Sequence, residues 1–144
     1  MATKFQEIYG LFLNQITDYE LGGLEREEIE AIAEIYLLNS LLTVQQVSDN
    51  IMDIDEVNKQ FNYDLSLPEK LLLAKAMKLT WVRRQKYQQE LMRKTFSDTD
   101  FKGVQGTEYL KALSDVEAQL EDEIRKELIR NSWRRSGSYS SLGG

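Results

Sequence analysis

The only proline of this 144-residue chain, Pro68, stands at the head of the stretch that most restricts how it can fold. From Phe61 to Lys94 the sequence runs FNYDLSLPEKLLLAKAMKLTWVRRQKYQQELMRK. Ser66 suits a helix N-cap, because its hydroxyl can accept an N–H that the first turn leaves without an intrahelical partner. Glu69, three residues on, can reach back to the Ser66 N–H and close the reciprocal capping box. Pro68 falls in the first turn, where a missing N–H breaks no helical bond. These signals predict one long helix over about 67–94. Leu71, Leu72, Leu73, Ala74, Ala76, Met77 and Leu79 then point in nearly every direction around its axis. A helix apolar all round is a buried one, so this half runs through the middle of the domain. Beyond Trp81 the composition changes: Arg83, Arg84, Lys86, Arg93 and Lys94 crowd the second half, which projects into solvent or meets a partner.

The other segments read as shorter helices around that axis. Thr3 is placed to cap a helix over 4–16, whose Phe5, Ile8, Phe12 and Ile16 step by three and four onto one face. TDYELGG breaks it, with Gly22 and Gly23 as punctuation. A helix over 24–43 opens on the acidic run Glu25, Glu27, Glu28 and Glu30, set against the positive end of its dipole. It carries two overlapping apolar stripes, Ile29–Ala33–Tyr36–Ser40 and Ile32–Ile35–Leu38–Leu42, a face wide enough for more than one neighbour. Ser48-Asp49-Asn50 reads as a turn, and Asp53 as the cap of a short helical turn leading to Phe61. Residues 95–109 read as a loop or small hairpin bending at Gly103 and Gly106. Thr107 caps the last helix, which runs to about Asn131 with the stripe Tyr109, Leu113, Val116, Leu120, Ile124 and Leu128. The segment from Trp133 through SGSYSSLGG has little to bury. The reading is therefore all-α: four to five helices packed around the central one over 1–131, then an extended, flexible C-terminal arm over 132–144.

With no cysteine the chain offers no disulfide framework, no thiolate metal site and no thiol nucleophile. With no histidine it lacks the usual general base, zinc ligand and near-neutral switch. Neither phosphate-binding loop, G-x-x-x-x-G-K-[ST] or G-x-G-x-x-G, is present. A calcium loop started at Asp53 puts Asp55 at position three, but Val57 at five and Asn58 where glycine is needed, so the carboxylates there read as surface groups. No catalytic residue, metal ligand or cofactor is expected, and no stretch approaches the roughly 18 apolar residues of a membrane span. The first ten residues also lack the layout of a signal peptide.

Charge is unevenly distributed. Residues 1–60 hold twelve acidic and three basic side chains, a net of −9; residues 61–94 hold three and eight, a net of +5; residues 95–144 hold nine and seven, a net of −2. Segregation of this kind is compatible with plain solvated faces, and also with copies that attract one another face to face. The cationic stretch near Trp81 and Tyr87 keeps a small helical regulatory or DNA-binding protein open as an alternative. Against it stand the overall charge of −6 and a gap of more than twenty residues where a helix-turn-helix needs a short turn.

The order of three motifs carries a family resemblance. Lys4, Phe5, Ile8, Tyr9, Phe12, Leu13, Ile16, Asp18 and Tyr19 follow K-F-x-E/Q-I/V-Y-x-x-F-L-x-x-I-x-D-Y. Phe61, Asn62, Asp64, Leu65, Ser66, Glu69, Lys70, Leu73, Ala74 and Met77 follow F-N-x-D-L-S-x-x-E-K-x-x-L-A-x-x-M. Asp100-Phe101-Lys102 and Tyr109 to Leu113 come last. Over most of residues 4–130 this resembles the small helical head–tail connector proteins of tailed bacteriophages, also called adaptor, neck or head-completion proteins. The resemblance implies a structural virion protein at the head–tail junction, made in the host cytoplasm, with no enzymatic activity. It implies a ring, commonly of twelve copies, beneath the portal protein, extending the DNA channel without sequence-specific binding and meeting the next neck or tail component. It also implies a portal-binding arm, for which Trp133, Arg134, Arg135 and Tyr139 are the candidates. For the contact between copies, Arg83, Arg84 and Lys86 are the candidate cations and Glu25 and Glu28 the candidate anions.

Overall fold

A computed structural model describes residues 2–16, 22–45, 49–95 and 104–143; for 49–50, 92–95, 104–107 and 131–143 it describes the backbone alone. The chain is helical, as the apolar spacing predicts. Helix α1 spans Phe5–Leu13, α2 Arg26–Val44, the single turn α3 Asp49–Met52, α4 Leu67–Thr95 and α5 Val104–Gly143. Strands of two residues each, β1 (Thr3–Lys4), β2 (Ile54–Asp55) and β3 (Gln60–Phe61), form an antiparallel patch in the order β1-β3-β2.

The capping box at the start of α4 is present in both directions. The Glu69 N–H donates to Ser66 Oγ at 3.3 Å, and the Ser66 N–H donates to Glu69 Oε1 at 3.1 Å. Behind it, Leu72, Leu73, Ala74, Ala76, Met77, Leu79 and Val82 are buried, and α4 is packed by α1, α2 and α5. Leu71 is the departure, remaining 45% exposed at the rim. From α1 come Phe5, Ile8, Tyr9 and Phe12; from α2, Ala33, Tyr36, Leu37, Leu41 and Val44; from α5, Leu113, Leu120 and Ile124. Edge-on ring contacts of Phe5 with Phe61 (5.2 Å) and Phe12 with Tyr36 (5.7 Å) tie the first helix to the other elements.

Several local expectations are corrected. Thr3 does not cap α1: Lys4 holds the N-cap position, without a side-chain cap bond. The Thr3 side chain is buried, and its Oγ1 accepts the Leu65 N–H at 2.9 Å across 62 residues of sequence, so it joins the N-terminus to the approach to α4. Asp53 caps no helical turn. Its backbone oxygen accepts the Asn62 N–H and its Oδ1 accepts from Asn62 Nδ2 (2.8 Å), closing the base of a hairpin. Asp55 caps the hairpin's turn instead, its Oδ1 accepting the N–H groups of Val57 and Asn58, both at 3.0 Å. Lys59 completes the reversal in the left-handed region, at φ 54°. Asp49 begins a helical turn where the polar cluster predicts a plain turn, and α1 stops at Leu13, short of Ile16.

The last helix departs most. Its backbone starts at Val104, which places Gly106 and Thr107 inside the first turn and leaves Thr107 no N-cap position. It continues to Gly143, where the sequence reading stops near Asn131 and extends the arm. The segment holds glycine and serine but no proline, so its composition weakens a helix without forbidding one. The break at 17–21, the turn residues 46–48 and the loop at 96–103 lie outside the described residues.

Two outcomes follow from this packing. Leu73→Ala, at a fully buried site, costs about 2–5 kcal/mol in urea unfolding, whereas Leu71→Ala at the rim costs under about 1 kcal/mol. Hydrogen bonds from the Asn58 and Val57 region hold the Asp55 carboxyl below the ordinary range. A depressed folded pKa stabilises the fold above the unfolded pKa, about 3.9, and that stabilisation is lost as pH falls through the folded value. Asp55→Ala therefore flattens the acid limb of the stability–pH curve, measured by urea midpoints from pH 3 to 6.

Candidate interaction surface

The cationic second half of α4 meets carboxylates of its own chain. Arg83 and Lys86 are three residues apart, and Glu117 and Glu121 on α5 are four apart, spacings that put each pair on one helix face. Arg83 Nε and Nη2 reach Glu117 Oε2 at 3.3 Å and Glu121 Oε1 at 2.8 Å, and Lys86 Nζ reaches Glu117 Oε1 at 3.0 Å. The hydrogen bond to Glu117, with its charge, holds the Lys86 ammonium above its ordinary pKa. Lys75 adds a pair to Glu123 at 3.3 Å, so the α4–α5 seam is ionic along its outer edge as well as apolar within. Lys70 pairs with Glu7 of α1 (2.7 Å), and Lys59 of the hairpin with Glu34 of α2 (2.6 Å).

Arg84 faces another way. Its Nη1 donates to the Tyr36 hydroxyl at 3.4 Å, a long bond, and no carboxylate pairs with it among the described residues. Glu25 and Glu28 lie exposed at the N-terminal end of α2, Glu25 as its N-cap without a side-chain bond. Within one chain these two acids do not pair with Arg83, Arg84 or Lys86. Trp133, Arg134, Arg135 and Tyr139 lie on the helical backbone of α5, their side chains outside the described residues.

The two stripes read on α2 are only partly separated by the fold, since Ile32 and Leu38 of the second also pack against the core. Ala33, Tyr36, Leu37, Ser40 and Leu41 enter the core, where the Ser40 hydroxyl is satisfied by the Leu37 carbonyl at 2.7 Å. Ile35 and Leu42 of the second stripe face out, 56% and 65% exposed. On α4, Tyr87 and Leu91 are exposed as well, 60% and 42%. The sequence shows Ile35 and Leu42 in a stripe wide enough for a second neighbour, but not that they stay exposed together with Tyr87 and Leu91. The 4-3-4 spacing of Ala31, Ile35, Leu38 and Leu42 was the available signal.

A groove of about 440 Å³ opens between α1, α2 and the hairpin, lined by Lys4, Tyr9, Glu30, Glu34 and Lys59 among others. Burial first, then the carboxylates of Glu34 and Glu30, push the Tyr9 hydroxyl above the usual phenol range. It therefore keeps its proton at neutral pH. Glu30 is held by Arg26 (3.2 Å) and Gln6 (3.3 Å), and Glu34 by Lys59. Among the described residues there is no cluster of three or more acidic side chains placed to hold a metal ion, and no helix long and apolar enough to cross a membrane.

Comparison of the chain with family models, with curated proteins and with solved structures finds no match.

The ionic seam is testable by a double-mutant cycle on Lys86→Ala and Glu117→Ala. Urea unfolding at low salt gives a small favourable coupling, and the coupling fades at 1 M salt, where the screening length falls to about 3 Å. A coupling that persists at high salt contradicts a solvent-screened pair.

Proposed function

We propose that this protein is a structural subunit of a bacteriophage head–tail junction, forming a ring beneath the portal that joins the filled capsid to the tail and extends the DNA channel. The motif order at residues 4–19, 61–77 and 100–113 supports the reading. The observation that carries it is the double-faced α2, whose one apolar face completes the core while Ile35 and Leu42 remain in solvent. Exposed apolar lines on a small helical domain suit a protein whose work is contact with other subunits. In the groove beside Tyr9, Glu30 and Glu34 are engaged by Arg26 and Lys59, an arrangement suited to holding structure.

The alternative, a DNA-binding regulator, draws on the basic half of α4. Arg83 and Lys86 are engaged by Glu117 and Glu121, which leaves fewer cations for phosphates than the sequence suggests. In the connector reading DNA passes through the ring without sequence recognition, and the ring contacts portal on one side and the next neck component on the other.

Negative-stain electron microscopy of the protein mixed with purified portal tests this. The expected result is an added ring of density coaxial with the portal. Portal particles unchanged in outline at saturating protein, together with virions that lack the polypeptide, contradict it.

A further inference from the structure

We infer that neighbouring copies associate by packing the outer line of α2 on one copy against the distal line of α4 on the next, with the two helices parallel. The inference rests on the proposal that the protein works as an assembly of copies.

On α2, Glu28, Ala31, Ile35, Leu38 and Leu42 fall on one line at intervals of three and four. Glu28, Ala31, Ile35 and Leu42 are exposed and Leu38 is half-buried. On α4, Leu73, Met77, Thr80, Arg84, Tyr87 and Leu91 continue the same rhythm. The first two are fully buried in the chain's own core, Thr80 is half-buried, and Arg84, Tyr87 and Leu91 are exposed. The seam that α4 uses inside its own domain thus runs on into solvent. Lines with this spacing interlock as knobs into holes at a shallow crossing angle.

Charge selects the occupant. The α2 line opens on an acid, Glu28, and the α4 line on a cation, Arg84, neither in an ion pair among the described residues. Two α2 lines laid parallel would oppose Glu28 to Glu28, and laid antiparallel would leave it without a cation. The spacing from Glu28 to Ala31 to Ile35 equals that from Arg84 to Tyr87 to Leu91. In parallel register Glu28 meets Arg84, the small Ala31 faces the large Tyr87, and Ile35 meets Leu91. Such a contact joins two different faces, so it propagates from copy to copy and closes only as a ring. Arg83 and Lys86 take no part, being held by α5.

The absence of cysteine makes the test direct. Ile35→Cys protein is mixed with Leu91→Cys protein and oxidised in air with a copper catalyst. Val57→Cys, 89% exposed at the hairpin, replaces Ile35→Cys in the collision control. The expected product is the mixed disulfide, formed several-fold faster than in the control. Arg84→Glu in the Leu91→Cys protein slows it to the control rate, and adding Glu28→Arg to its partner restores it. Cross-linking no faster than the control, or dominated by Ile35→Cys homodimers, overturns the inference. An Arg84→Glu protein that still rings on portal refutes this interface while leaving the connector reading standing. Specific cross-linking without portal binding does the reverse.

Discussion

Burial of most of the circumference of the first half of α4 is the constraint from which the rest of the structure follows. A helix that is apolar around its whole circumference needs neighbours on each flank, and here α1, α2 and α5 supply them. The start of that helix is doubly fixed, by the reciprocal Ser66–Glu69 cap and by Thr3, whose hydroxyl accepts the Leu65 N–H. The β-patch matters for the same reason. Pairing Thr3 with Phe61 and Phe61 with Ile54 holds the N-terminus, the hairpin and the entry to α4 together.

Electrostatics reinforces this arrangement more than it creates it. The basic central stretch and the acidic flanks, so distinct along the sequence, neutralise one another on folding: Lys70 with Glu7, Lys75 with Glu123, Arg83 and Lys86 with Glu117 and Glu121. Each such exposed pair is screened by solvent and contributes too little to drive folding, but together they favour one register of α5 on α4. Arg84, apart from its long bond to the Tyr36 hydroxyl, and Glu28 take no part in these pairs, and each stands at the head of an exposed apolar line. A domain that pairs Lys70, Lys75, Arg83 and Lys86 within its own chain and still presents two such lines has surface suited to another subunit.

Much of the fold was legible in the sequence because it rests on local signals. The cap, the proline and the apolar circumference placed α4 to within a residue at its C-terminal end, and the stripe Leu113–Leu120–Ile124 identified the buried face of α5. What escaped depends on distant pairing. No local pattern in IDEVNKQF distinguishes a capped turn from a hairpin, since strands of two residues are too short for alternation to show. Thr3 has the composition of an N-cap, and only the approach of Leu65 reassigns its hydroxyl. The same holds at the surface. The sequence displayed Arg83, Arg84 and Lys86 as one cluster, and the fold sorts them by direction, two toward α5 and one toward Tyr36. Of the two stripes on α2, neither spacing nor composition says which one faces inward.

On the proposed assembly, the domain is complete by itself on one face of α2 and completed by another subunit on the other. Hydrogen–deuterium exchange, followed by mass spectrometry on the free chain and on the same chain mixed with portal, tests that claim most directly. Residues 72–82 should be protected equally in both states, while peptides covering 28–38 and 84–91 gain protection only in the assembly. Unchanged exchange at both of those segments in a sample that has formed rings would contradict it.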